Sequence, residues 1–217
     1  FQNPGGFSPV EVSRDGAWLA LQKANTSADS DVYLVDLRGE GEPALITPGD
    51  APVSTSVYGF TPDSKTLVFA TDAHGEFNQA WTHDLATDAQ APLIEADWDV
   101  MYVAWSPSGR YRVSAVNADA STALTIVDTR DGRPLALEGL PAGDIGSVRF
   151  SPDESRIAFT VLSDTSPADV FVADLADRQA RRLTTALNPA IDESHLVEAS
   201  IVRYTAEGGV QIPSVLY

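Results

Sequence analysis

Three histidines, His74, His83 and His195, are the residues of this 217-residue chain best suited to metal or general-base chemistry. No two of them stand at i, i+4, and no His-Glu-x-x-His occurs, so they read as ordinary polar residues of loops or strands. No Gly-x-Ser-x-Gly elbow is present, which leaves these residues without a strained strand-to-helix serine nucleophile. No glycine-rich loop opens a helix with a lysine placed to reach phosphates. Asp97 and Asp99 flank Trp98, and Asp29 lies beside Asp31, pairings that bring calcium or glycosidic chemistry to mind. Calcium, however, takes about six to eight oxygens from a spaced loop. A glycosidic pair needs a set separation that no sequence displays. Both pairs read as solvated loop residues, and neither a cofactor nor a metal is expected.

A weaker signal lies in Glu76, Phe77 and Trp98. His74-Gly75-Glu76-Phe77-Asn78 falls between the second and third strands of its repeat, and Trp98 precedes the first strand of the next. An aromatic ring beside a carboxylate on an exposed rim could meet a peptide amine or the surface of a covering domain. Packing of the loops on themselves would account for the same residues.

The elements that would position such loops follow from a repeated cassette. Ser13-Arg14-Asp15-Gly16, Thr61-Pro62-Asp63-Ser64, Ser106-Pro107-Ser108-Gly109 and Ser151-Pro152-Asp153-Glu154 start 48, 45 and 45 residues apart. Each is followed by an apolar run, a polar stretch and a second apolar run ending in Asp-Leu or Asp-Thr, such as Val170-Phe171-Val172-Ala173-Asp174-Leu175. Short β-rich segments precede the cassettes at 56–60, 101–105 and 146–150, and others close units at 44–47, 92–94 and 181–184. Four strands of about five residues fill each period. Proline suits the turn, Asp accepts backbone N–H groups, and Gly16 or Gly109 tolerates positive φ, so the cassette is the turn between a unit's first two strands. A four-stranded unit cannot bury both faces alone, and radial repetition solves this, so the fold expected is all-β: a β-propeller segment of four four-stranded blades. The blades centre on residues 7–47, 53–96, 100–138 and 145–184. Four is the lower limit for closure, and a parent propeller of seven or eight blades is expected.

Acidic residues outnumber basic ones 31 to 14, for a net charge of −17. Such a surface repels phosphate backbones and anionic membranes, so no nucleic acid and no membrane is expected as a partner. Apolar runs are strand-sized, and no signal peptide or transmembrane segment is visible in these residues, which fits either cytoplasm or periplasm. The absence of cysteine excludes disulfides without choosing a compartment.

The ends depart from the repeat. Residues 1–6 read as a turn, and the period fails after Thr184, where a fifth cassette would fall at Leu196. The domains expected are propeller blades over 1–185, a linker over 186–199, and over 200–217 the first hairpin of a further domain, truncated before it has a core. Its apolar residues Ile201, Ile212, Val215 and Leu216 need a partner, and the unpaired edges of the segment leave self-association into a homo-oligomer open.

The repeats, with Ile157-Ala158-Phe159-Thr160 and Arg181-Arg182-Leu183-Thr184 after the cassette, resemble those shared by the translocation protein TolB and the prolyl oligopeptidase family. Asn188-Pro189-Ala190-Ile191-Asp192, Val202-Arg203-Tyr204-Thr205 and Gln211-Ile212-Pro213-Ser214-Val215-Leu216-Tyr217 are similar to the junction where that peptidase family's propeller meets its α/β-hydrolase domain. Gly208-Gly209 stands where the family commonly has Asp-Gly. The resemblance implies a serine peptidase of short peptides whose propeller caps the active site and excludes folded proteins by size. Its partners would be the α/β-hydrolase catalytic domain of the same protein and short peptides. The family's Ser, Asp and His would lie beyond Tyr217, so no catalytic residue is assigned here. The alternative is a non-enzymatic, TolB-like propeller that binds a protein.

Overall fold

The computed structural model describes residues 3, 5–39, 41–47, 52–118 and 121–217. Four antiparallel sheets of four strands follow one another along the chain, as expected for propeller blades. The first holds β1 (Ser8–Val12), β2 (Trp18–Thr26), β3 (Asp29–Asp36) and β4 (Ala44–Leu45), and the second β5 (Thr55–Phe60), β6 (Thr66–Thr71), β7 (Gln79–Asp84) and β8 (Gln90–Ile94). The third holds β9 (Val100–Trp105), β10 (Tyr111–Ala118), β11 (Ser121–Asp128) and β12 (Arg133–Pro134), and the fourth β13 (Asp144–Phe150), β14 (Arg156–Ser163), β15 (Ser166–Asp174) and β16 (Ala180–Arg182). A separate hairpin pairs β17 (Ser200–Thr205) with β18 (Gln211–Leu216). Among the described residues no helix is long and apolar enough to cross a membrane. The turn expected over 1–6 lies partly outside the described residues.

The cassettes repeat atom by atom. In each, the first residue's hydroxyl accepts the N–H of the strand that follows: Ser13 from Trp18 at 2.9 Å, Thr61 from Thr66 at 3.2 Å, Ser106 from Tyr111 at 3.0 Å and Ser151 from Arg156 at 3.0 Å. Where the third residue is Asp, the same hydroxyl donates to it, at 2.6 Å in Ser13–Asp15 and Ser151–Asp153. The Ser151 hydroxyl first, then the Ser155 N–H, holds the Asp153 carboxyl at a pKa of about 2. The fourth residue has positive φ in all four cassettes: Gly16 72°, Ser64 58°, Gly109 82° and Glu154 55°. A second turn recurs after the third strands, where the carbonyls of Asp84, Asp128 and Asp174 accept the N–H of Asp88, Gly132 and Arg178, each also at positive φ. That turn is why those strands end on Asp: its side chain takes the N–H two residues on, as Asp84 does from Ala86 and Asp174 from Ala176.

The chain forms two compact units, Phe1–Val116 and Asn117–Tyr217. In the first, the core lies between successive sheets. Ala20, Val32 and Leu34 pack with Phe60 and Leu67, while Val68 and Ala80 pack with Val100 and Val103. Neighbouring residues Leu67 and Val68 thus face different sheets, and Leu67–Thr71 is buried throughout rather than alternating. A strand covered on both faces loses the period of two. In the second unit β14 does alternate, with Ile157, Phe159 and Val161 buried between more open neighbours, and the Phe159 and Phe171 rings stack 6.0 Å apart.

The register of the terminal hairpin sets its two faces. Directly opposed residues share a side, and the register pairs Ile201 with Val215 and Tyr204 with Ile212. Ile201 and Val215 therefore point one way while Tyr204, Ile212 and Leu216 point the other, so the ribbon is apolar on both sides. Between β16 and β17 lies a short 3₁₀ turn, Glu193–His195, capped by Asp192.

Candidate functional site

The loops joining β6 to β7 and β8 to β9 leave the same ends of their strands and are stitched together. The Asn78 N–H donates to Asp99 Oδ1 at 2.8 Å, and the Val100 N–H donates to the Asn78 carbonyl at 2.8 Å. Gln79 closes the pair, accepting the Ala96 N–H at 2.6 Å and donating to the Trp98 carbonyl at 3.3 Å. Two of the three residues singled out in the sequence meet here: the half-buried Phe77 and Trp98 rings lie 5.6 Å apart, tilted by 42°. Glu76 stays exposed on the loop, with no hydrogen bond or ion pair to a described residue. His74 stacks on Trp81 at 4.0 Å. This patch offers ring faces beside the exposed Asp97, a surface for an apolar or cationic chain segment.

The remaining histidines each lie within ion-pair distance of an aspartate. His83 is buried in β7, its Nε2 3.4 Å from Asp88 and its Nδ1 3.3 Å from Gln90. Burial lowers its pKa, against a smaller opposing effect of Asp88. His195 is exposed beside Asp192. Among the described residues no three His, Asp or Glu side chains converge as metal ligands would.

Sequence reasoning missed a cavity at the opposite end of the strands. The C-terminal ends of β1, β5 and β9 and the cassettes after them border an open cavity of about 390 Å³, lined by the exposed Glu11 and Arg14 and by Tyr58, Pro62 and Trp105 among others. Glu11 Oε2 accepts the Phe60 N–H at 3.2 Å, across a bulge in β5 between Val57 and Gly59. Gly59 has φ 134°, and a Cβ there would stand 2.2 Å from that oxygen, so only glycine admits the carboxylate. Burial raises the Glu11 pKa, more than the Phe60 N–H lowers it. Arg14 donates to the Pro107 carbonyl and makes no ion pair with a described carboxylate. The Tyr58 hydroxyl donates to the Val100 carbonyl, and burial, then Asp99, raises its pKa. The signal was faint because the lining comes from three repeats about 45 residues apart.

In the second unit the hairpin is fastened through Asp164, in the loop between β14 and β15. Its Oδ2 accepts the Ala199 N–H at 3.1 Å and its Oδ1 the Tyr217 hydroxyl at 3.0 Å. Ile201, Val202, Tyr204, Val215 and Leu216 nevertheless remain exposed.

Residues 2–186 match the family described as prolyl oligopeptidase, N-terminal beta-propeller domain. Among solved structures, a puromycin-hydrolyzing peptidase of Mycobacterium tuberculosis is similar at TM-score 0.76 and 15% identity, over 95% of this chain and 33% of that one. Prolyl oligopeptidase B of Galerina marginata is similar at TM-score 0.76 and 17% identity, over 95% and 30%. TolB of Acinetobacter baumannii is similar at 0.60 and 18%, over 85% and 44%. The chain thus spans about a third of the length of the peptidases it matches. No curated protein matches.

Proposed function

The chain belongs to the prolyl oligopeptidase family through its N-terminal β-propeller domain, and from that membership we propose that it is the non-catalytic propeller portion of a serine peptidase of short peptides. In this reading residues 1–185 are blades, 186–199 a linker, and 200–217 the first hairpin of the α/β-hydrolase catalytic domain. The observation that carries it is the hairpin: a ribbon directly after the blades, fastened at Asp164 yet apolar and exposed on both sides. A lone two-stranded ribbon is marginal in water, and a catalytic domain would cover these side chains. The blades would then act as a size filter and docking surface over the active site. Phe77 and Trp98, with Glu76 on the same loop as Phe77, would contact the peptide or the facing domain.

The protein extended past Tyr217 through the following domain should be labelled by a fluorophosphonate probe, and the 217-residue chain should not. An extended protein that resists labelling would reject this reading. A non-enzymatic propeller that binds a protein partner remains the second reading. The similarity to TolB supports it, over 85% of this chain.

A further inference from the structure

The cavity at the ends of β1, β5 and β9 holds two opposite charges that are not spent on each other. Arg14 is a guanidinium with five N–H donors, one of them on the Pro107 carbonyl, in a chain of net charge −17 where carboxylate partners abound. It makes no ion pair among the described residues, which leaves the planar fork available to an outside carboxylate. Glu11 is fixed by one oxygen on the Phe60 N–H, in a niche that only Gly59 permits, and its second oxygen has no hydrogen-bond partner among the described residues. Burial of part of this carboxyl raises its pKa, an effect that a cation placed beside it would offset. Trp105 and Pro62 line the same cavity and add apolar surface to it. The volume, about 390 Å³, sits at the small end of the range of about 300–1,000 Å³ typical of ligand pockets.

We propose that this cavity binds a dipeptide-sized zwitterion, with its carboxylate on Arg14, its ammonium on Glu11 and a side chain against Trp105. The proposal does not depend on the peptidase reading. It rests on a cavity at the opposite end of β9 from the Phe77–Trp98 loops, and it concerns binding, not hydrolysis.

Isothermal titration calorimetry of the 217-residue chain with glycylphenylalanine tests it. The unmodified dipeptide should bind. N-acetylation or C-terminal amidation should each weaken binding by about tenfold or more, the loss expected when a charge-assisted contact is removed. Arg14→Gln should reproduce the amide's loss and Glu11→Gln the acetyl's, with circular dichroism unchanged. No binding of the free dipeptide, or equal binding of the amide, would overturn the proposal. The analogue series decides even if a variant fails to fold, because it uses the unaltered chain, and the outcome is independent of any fluorophosphonate labelling.

Discussion

At the scale of single residues, the turns explain why the repeat carries the residues it does. A hydroxyl begins each cassette because it must accept the next strand's N–H, and positive φ at the fourth position favours glycine, which Ser64 and Glu154 depart from. Arg178 departs likewise at the second turn, exposed and at φ 62°, where its equivalent in the third blade is Gly132. An L-residue held there is strained, so Arg178→Gly should stabilise by up to about 1 kcal/mol, read as a higher denaturant midpoint at unchanged slope. His83 supplies a pH dependence. The unfolded imidazole takes its proton near pH 6.5 and the buried one only at lower pH, so the unfolded state binds more protons below that value. Stability is therefore fully present above pH 6.5 and falls as pH drops. Melting temperatures compared at about pH 7.5 and about pH 5 should show a drop that shrinks in His83→Gln. An unchanged drop would place its origin elsewhere.

At the scale of elements, strands covered on both faces carry the fold. Leu67 is fully buried between sheets, and Leu67→Ala should cost about 2–5 kcal/mol in chemical denaturation. The inner three strands of each blade were legible because cassette, apolar run and Asp-terminated run recur at fixed spacing. The outer strands were legible only approximately. β4 and β12 are two residues long, with one hydrogen-bonded neighbour and little burial, so little in their sequence is constrained. The hairpin's apolar residues Ile201, Ile212, Val215 and Leu216 were legible, and the register adds that Ile201 and Val215 face away from Ile212 and Leu216. Of the candidate loop residues, Phe77 and Trp98 do meet, since adjacent loops at one strand end bring them together, whereas nothing local holds Glu76. The Glu11–Arg14 cavity left no linear trace, because its walls are assembled from three blades and its key contact depends on a missing Cβ at Gly59.

At the scale of the whole molecule, we propose that the blades act as a filter for a catalytic domain carried by the same protein. A hairpin with apolar residues exposed on both sides, tethered by Asp164, supports the proposal of such a cover, and membership of the propeller family suggests its kind. The filter claim reduces to a dependence on substrate size. The most direct measurement is hydrolysis by the protein extended through its catalytic domain, comparing a chromogenic short peptide with the same sequence displayed on a folded domain. The account predicts turnover of the peptide and none of the folded substrate. Equal cleavage of both, or cleavage of neither, would contradict it.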